Sequence, residues 1–469
     1  MRPAFESLRS GDWLTRERLR FIAAALLLAS AAGFLLLIVT AHGYVDRQGR
    51  PLGTDFSDVY AAGSYVLDRN PTAPFDPTLQ YAREQAIFGA ATPFYSWDYP
   101  PYFLFIAGAL AVMPYGLALA AWQASTLALY LLVIWAIVSA PSPERGGMAR
   151  QRVRPEVAGP MTSSARQGGI RADEEEPTPT RPPSAVDLSL ARGGKIASDW
   201  LLLALAYPVV LINIGHGQNG FLTAALLGGA LVMLDRRPLL AGILFGLLIY
   251  KPQFGLLIPL ALIAAARWRS FAAAAATVAL LTLAATLAFG PQVWHAFLLS
   301  TGFSRTVVLE AGGAGWYKID SAFSWARMWG APVALAYALQ AALIVALGVA
   351  IVRLWRSAAA PALKNAALCL AAILTTPYVL DYDLMALAPT IAFFALDGLG
   401  RGFRAWEKSA LAALWLAPLV TRSIAHATLL PLGVPIMLAV FVLLLRRAEL
   451  ETATGALVPA SALIPANDR

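Results

Sequence analysis

FIAAALLLASAAGFLLLIVTA, residues 21–41, is an apolar run long enough to cross a bilayer, which takes ~20 residues of helix. Arg2, Arg9, Arg16, Arg18 and Arg20 precede it and hold the N-terminus in the cytoplasm by the positive-inside rule. The chain therefore emerges on the outer side. There it presents Gly53-Thr54-Asp55-Phe56-Ser57-Asp58-Val59-Tyr60, which sets Asp55 at a membrane surface in an otherwise greasy sequence.

The rest of the chain agrees with that opening. Hydrophobic residues make up 58% of the 469 and charged residues only 14%, with a mean hydropathy of +0.61, against about 25% charge in a soluble domain. This is the composition of a polytopic all-α membrane protein. The net charge of +8 falls in short loops and at the N-terminus, where orientation and anionic headgroups account for it, so nucleic-acid binding is set aside. Cys369 is the one cysteine, which excludes an internal disulfide and a cysteine metal cluster. The first run lacks a small-residue cleavage site before its polar flank and reads as an anchor.

Further apolar segments run over 102–113, 117–139, 200–213, 221–234, 239–250, 254–266, 271–289, 331–352, 362–374, 384–396, 411–420 and 429–445. About twelve membrane helices are expected. The basic clusters Asp235-Arg236-Arg237, Arg267-Trp268-Arg269, Arg353-Leu354-Trp355-Arg356, 401–408 and Arg446-Arg447 fall in alternate loops and can all be cytoplasmic. An outward Asp55 allows this only if one segment fails to cross. Segment 102–113 is the candidate, since it spans ~18 Å as a helix and lies between Pro100-Pro101 and Pro114.

The expected organisation is an N-terminal membrane region 1–140 with a first outward loop 43–100 and a disordered cytoplasmic loop 141–198. A membrane bundle 199–448 with an outward loop 291–330 and a cytoplasmic tail 449–469 follow. Loop 141–198 is rich in Pro, Gly, Ser and Arg around Asp173-Glu174-Glu175-Glu176 and reads as a tether. Within 43–100, residues 58–67 are expected as a short helix on the membrane surface. All four histidines, His42, His216, His295 and His426, map to the outer side.

Four outward constellations carry chemistry. Asp55, with Asp58 in support, is a carboxylate at a lipid–water boundary, able to take a proton from a hydroxyl; a solvated loop acid has the same sequence. Gly215-His216-Gly217-Gln218-Asn219-Gly220 offers backbone N–H groups that can converge on an anion, with donors from His216, Gln218 and Asn219, or else a plain hairpin turn. Lys251, in Tyr250-Lys251-Pro252-Gln253, is a cation on the wrong side for topology and needs a counter-charge, which a lipid-linked phosphate can supply. Finally, Tyr378, Asp381 and Asp383 lie in Thr376-Pro377-Tyr378-Val379-Leu380-Asp381-Tyr382-Asp383, where aromatics can stack on sugar faces and acids can bind hydroxyls. Glu310 and Lys318 in loop 291–330 are weaker candidates. Phosphate-loop, dinucleotide, zinc-protease and Cys-x-x-Cys motifs are all missing.

Thr54-Asp55-Phe56, Ala61-Ala62-Gly63, Tyr99-Pro100-Pro101, His216-Gly217-Gln218-Asn219-Gly220, Lys251-Pro252-Gln253 and Thr376-Pro377-Tyr378 with Asp381-Tyr382-Asp383 together resemble glycosyltransferase family 87, also known as a DUF2029 family. Asp58 and the 141–198 insert depart from its simplest pattern. The resemblance implies a GT-C-like helical bundle in the plasma (inner) membrane, facing the periplasm or exterior. It also implies inverting transfer of a hexose, mannose by resemblance, from a polyprenyl-phosphate sugar to a lipid or glycan acceptor, among membrane lipids. Asp55 then serves as general base. His216, Gln218, Asn219 and Lys251 attend the donor phosphate, and Tyr99, Gln253, Tyr378, Asp381 and Asp383 bind substrate. No cofactor is expected and no metal ligand is assigned, although a divalent ion is left open. A transporter or flippase for a lipid-linked or small anionic substrate is the alternative.

Overall fold

A computed structural model describes residues 2–140 and 199–456, so the tether expected at 141–198 lies outside the described residues. Among these, every regular element is helical, and pairing outside helices is confined to isolated bridges such as Ile319 with Leu380. The run at 21–41 forms part of helix Arg16–Thr40, whose 25 residues span ~37 Å. Thr15 caps it by accepting from the Arg18 N–H. Ala23 is its one buried residue, while Leu28, Leu35, Leu36 and Val39 stand exposed. A soluble fold cannot leave such a surface in water; lipid is the solvent that covers it.

Among the described residues, six helices are long and apolar enough to cross a membrane: Arg16–Thr40, Tyr115–Val138, Trp268–Phe289, Val333–Arg356, Asp381–Arg401 and Glu407–Thr428. A seventh span is completed if Asp199–Leu205 and Pro208–His216, which meet at 45°, are taken as one. Pro208 lies at this break, where it removes a backbone donor. Four further apolar helices, among them Gly220–Met233 and Pro361–Leu374, have 10–17 residues. The expected dozen crossings is thus met by length in only six or seven. The two short helices just named form the centre: each has 11 of its 14 residues buried. Cys369 is fully buried among them.

Several sequence boundaries shift. Segment 411–420 is the middle of Glu407–Thr428, because Glu407, Lys408 and Arg422 are helical although they end the apolar window. Segment 429–445 belongs to Gly433–Ala456, which runs past 448 into the expected tail. Loop 291–330 contains helices Gln292–Phe303 and Ala322–Met328, with tighter or wider turns between.

The segment expected not to cross forms helix Phe103–Ala111, only ~14 Å long. It packs against helix Phe56–Leu67, which has eight of its twelve residues buried and so is no surface helix with one face on lipid. Gly63 makes this approach possible, since a Cβ there would lie 2.1 Å from the Ala107 carbonyl oxygen. This contact fixes the helix whose N-terminal residue follows Asp55.

Candidate active site

Asp55 sits at the entry to Phe56–Leu67, and its backbone N–H donates to the His216 carbonyl at 3.0 Å. That bond ties the 43–100 segment to a turn more than 160 residues away. Asp55 Oδ2 accepts from Gln218 Nε2 at 2.8 Å and Oδ1 from Thr54 Oγ1 at 3.1 Å. His216 Nδ1 lies 2.7 Å from Thr54 Oγ1 and 3.4 Å from Asp55 Oδ1. With the Thr54 proton aimed at Asp55, Nδ1 is the protonated nitrogen that donates to Thr54. Burial pushes the Asp55 carboxyl up, but the hydrogen bond and charge of His216, with bonds from Gln218 and Thr54, outweigh it and hold the group below the ordinary carboxylate range. Asp55 is therefore ionised at neutral pH and, at 20% exposure, open to an incoming hydroxyl.

The turn after helix Pro208–His216 forms because Gly217 adopts φ 67°, the left-handed cap that glycine takes without strain. Its N–H groups close on the protein itself. Gly217 N–H donates to Ile214 O and Gln218 N–H to Asn213 O, while Asn219 N–H goes to Gln218 Oε1 and Gly220 N–H to Asn213 Oδ1. The anion nest expected of these backbone groups is accordingly not formed. Gln218 and Asn219 are buried; Tyr99 OH donates to Gln218 Oε1 at 3.2 Å and accepts from Asn219 Nδ2 at 2.7 Å. Of the three donors expected in this turn, only His216 is half-buried rather than buried. Gln218, Tyr99 and Asn219 form a buried chain ending on Asp55. Asn213, which sequence reading passed over, also donates to Tyr382 O at 3.0 Å and fastens this turn to residues 381–386.

Lys251 lies between two short 3₁₀ turns and is 6% exposed. Its Nζ is 2.5 Å from Asp383 Oδ1 and 5.1 Å from the Tyr382 ring centre. The counter-charge expected from a lipid phosphate is thus supplied within the chain, because the helix break turns the ammonium inward. Asp383 Oδ2 also accepts from Leu380 N–H at 3.1 Å. Lys251→Ala is expected to destabilise the fold by about 3–5 kcal/mol by stranding a buried carboxylate, and adding Asp383→Asn to recover part of that loss. Melting temperatures in detergent check this; a Lys251→Ala protein as stable as wild type contradicts it.

Asp381 Oδ2 accepts from Arg422 Nη1 at 2.7 Å, and Tyr382 N–H donates to Oδ1. Arg422 was missed in sequence reading although an arginine inside an apolar helix is itself a signal. Tyr378 is half-buried against a small apolar cluster with Ile319 and Phe323, and Gln253 is half-buried beside Lys251. Glu310 accepts from Tyr337 OH at 3.0 Å, and Lys318 lies over the Tyr317 ring. Neither shares a hydrogen bond with the Asp55 group.

Asp58 is buried beside Asp55, and its Oδ1 has no hydrogen-bond partner among the described residues. Burial first, then the charges of Asp55, Glu84 and Asp98, push its carboxyl well up. This shift favours the protonated form of Asp58, whose supporting role beside Asp55 stays an expectation. Glu84, fully buried, accepts from Tyr95 N–H at 3.0 Å and is pushed up to about 8 by burial. A raised pKa means that the folded chain binds the extra proton between 4.5 and about 8, so stability is fully present below that window and falls as pH rises through it. Glu84→Gln is expected to flatten the loss of melting temperature over this range; equal slopes in variant and wild type contradict it. Among the described residues, no three His, Cys, Asp or Glu side chains are grouped to hold a metal ion.

The family model of glycosyltransferase family 87 matches residues 97–377, more than half of the chain. Tyr99, the 216–220 turn and Lys251 fall within that match; Asp55 and Asp58 precede it, and Asp381 and Asp383 follow it. No curated protein and no solved structure matches the chain.

Proposed function

The chain belongs to glycosyltransferase family 87 and is a membrane glycosyltransferase, and from that premise we propose that it moves a hexose, mannose by the family resemblance, from a polyprenyl-phosphate sugar to a lipid or glycan acceptor. The observation that carries this reading is the Asp55 carboxylate, ionised, accessible and clamped by Gln218, Thr54 and His216. Transfer is inverting. The acceptor hydroxyl gives its proton to Asp55 and attacks the anomeric carbon from the face opposite the phosphate; the bond to the phosphate oxygen breaks, and its electron pair leaves with the polyprenyl phosphate.

Gln218, with Tyr99 and Asn219 behind it, positions Asp55 and does not contact the donor. His216 holds the Thr54–Asp55 pair and is the donor-side polar group nearest the base. Phe105 and Val112, exposed beside the short helix Phe103–Ala111, offer apolar surface for a prenyl tail. Arg16 starts helix Arg16–Thr40, and Arg237 and Arg267 immediately precede helices Pro238–Leu247 and Trp268–Phe289, so basic residues collect at helix ends. By the positive-inside rule this supports an outward-facing site in the plasma membrane.

The test is transfer of radiolabelled sugar by purified protein from synthetic polyprenyl-phosphate sugars, beside nucleotide sugars, to a total lipid and glycan extract. Labelled product from the lipid donor alone is expected. Product from nucleotide sugars alone overturns the donor assignment. Movement of intact donor across vesicles without product favours the transporter reading.

A further inference from the structure

Helix Glu407–Thr428 carries into the site a cation that the mechanism above does not use. Arg422 lies in this apolar helix, where an ionisable group is costly and marks a functional position. Its Nη1 is held by Asp381, its side chain remains 42% exposed, and among the described residues its Nε and Nη2 have no hydrogen-bond partner. His426, four residues on and therefore on the same helix face, is exposed with its ring edge against Tyr317 at 4.5 Å. Lys318 adjoins Tyr317, and its Nζ lies 5.7 Å from that ring. The ring of Tyr382, the neighbour of Asp381, is 6.4 Å from that of His216. His216 thus links the Asp55 carboxylate to the turn that holds Arg422.

The base and the basic groups enter from different elements. The ionised Asp55 comes from the 43–100 segment, whereas Arg422 and Lys318, with the His426 ring, come from the far helix and the Trp316–Lys318 turn. The acids near those cations are Asp381, engaged with Arg422, and Asp320, whose carboxyl burial and the Asp381 charge push up to about 7. Asp320 therefore holds its proton more readily than an ordinary carboxylate and offsets Arg422 and Lys318 less. Lys251, by contrast, is buried and answered by Asp383.

We propose that Arg422, oriented by Asp381, is the phosphate-binding group of the site, with Lys318 adding positive charge beside it and His426 a ring nitrogen for hydrogen bonding. The assignment rests on the lipid-phosphate donor proposed above. When the anomeric C–O bond breaks, the phosphodiester monoanion becomes a monoester that can carry a second negative charge. The guanidinium fork suits that developing charge through paired N–H donors.

The experiment titrates a short-chain prenyl phosphate and the matching prenyl alcohol into purified wild type, Arg422→Gln and Arg422→Lys. Wild type is expected to prefer the phosphate. Arg422→Gln should lose at least about tenfold in phosphate affinity, the worth of a charge-assisted hydrogen bond, with alcohol binding unchanged. Arg422→Lys should recover part of the loss, and in transfer assays Arg422→Gln should raise the donor KM more than it lowers kcat. Because Arg422→Gln strands Asp381, the double variant with Asp381→Asn is measured too and should show the same loss. Equal phosphate affinity in wild type and Arg422→Gln, alone or with Asp381→Asn, overturns the role of Arg422 and leaves the donor reading standing. A wild type with no preference for phosphate over alcohol overturns both.

Discussion

Asp55→Asn is expected to lower kcat about 10³-fold, within the 10²–10⁴ that a positioned base contributes, while yield and melting temperature in detergent stay close to wild type. The amide keeps the size of the carboxylate and can still accept from Gln218 Nε2, so the buried chain through Tyr99 and Asn219 survives. What it loses is the ability to take a proton, along with the charge that His216 faces at 3.4 Å. The same geometry sets the pH profile. Because the Asp55 carboxyl is held below the usual carboxylate range, wild-type activity should show no acid limb from this group above about pH 4. Substantial transfer by a well-folded Asp55→Asn protein removes Asp55 as the base.

Arg447→Met is expected to have the largest effect on stability. Its Nε is 2.5 Å from Asp397 Oδ2 and its Nη1 is 2.6 Å from Glu407 Oε2, with all three side chains no more than 3% exposed. Nη1 also donates to the Gly402 carbonyl. The guanidinium thereby joins helices Leu387–Arg401, Glu407–Thr428 and Gly433–Ala456 at one point. Removing it takes from buried Asp397 and Glu407 the guanidinium they share, leaving Asp397 with Arg401 at 3.6 Å, a loss of about 3–5 kcal/mol. Such a loss should show as poor yield and a melting temperature lowered by several degrees. The triple replacement with Asp397→Asn and Glu407→Gln, which neutralises the two most buried carboxylates, should recover part of it. An unchanged melting temperature in the single variant contradicts the argument.

These two residues also mark how unevenly the sequence speaks. Asp55 stood out because an acid beside an apolar run is conspicuous. Arg447 looked like one of many basic residues at a helix end, the second of the Arg446-Arg447 pair that closed the apolar window at 445. Its burial follows from Asp397 and Glu407, which lie 50 and 40 residues away. Arg422 was overlooked for a related reason, since only Asp381 on another helix shows that it enters the site.

By itself the sequence determined the helical membrane class and the three polar interruptions near 216, 251 and 381. Both are local consequences: an apolar run must satisfy its own backbone in lipid, and polar residues within it need partners. Which partners they take was decided by tertiary structure alone. Lys251 meets Asp383 across 132 positions and Gln218 meets Asp55 across 163. Such pairings depend on where helices break and how closely they pack, as at Gly63 against Ala107, and no local pattern encodes that geometry.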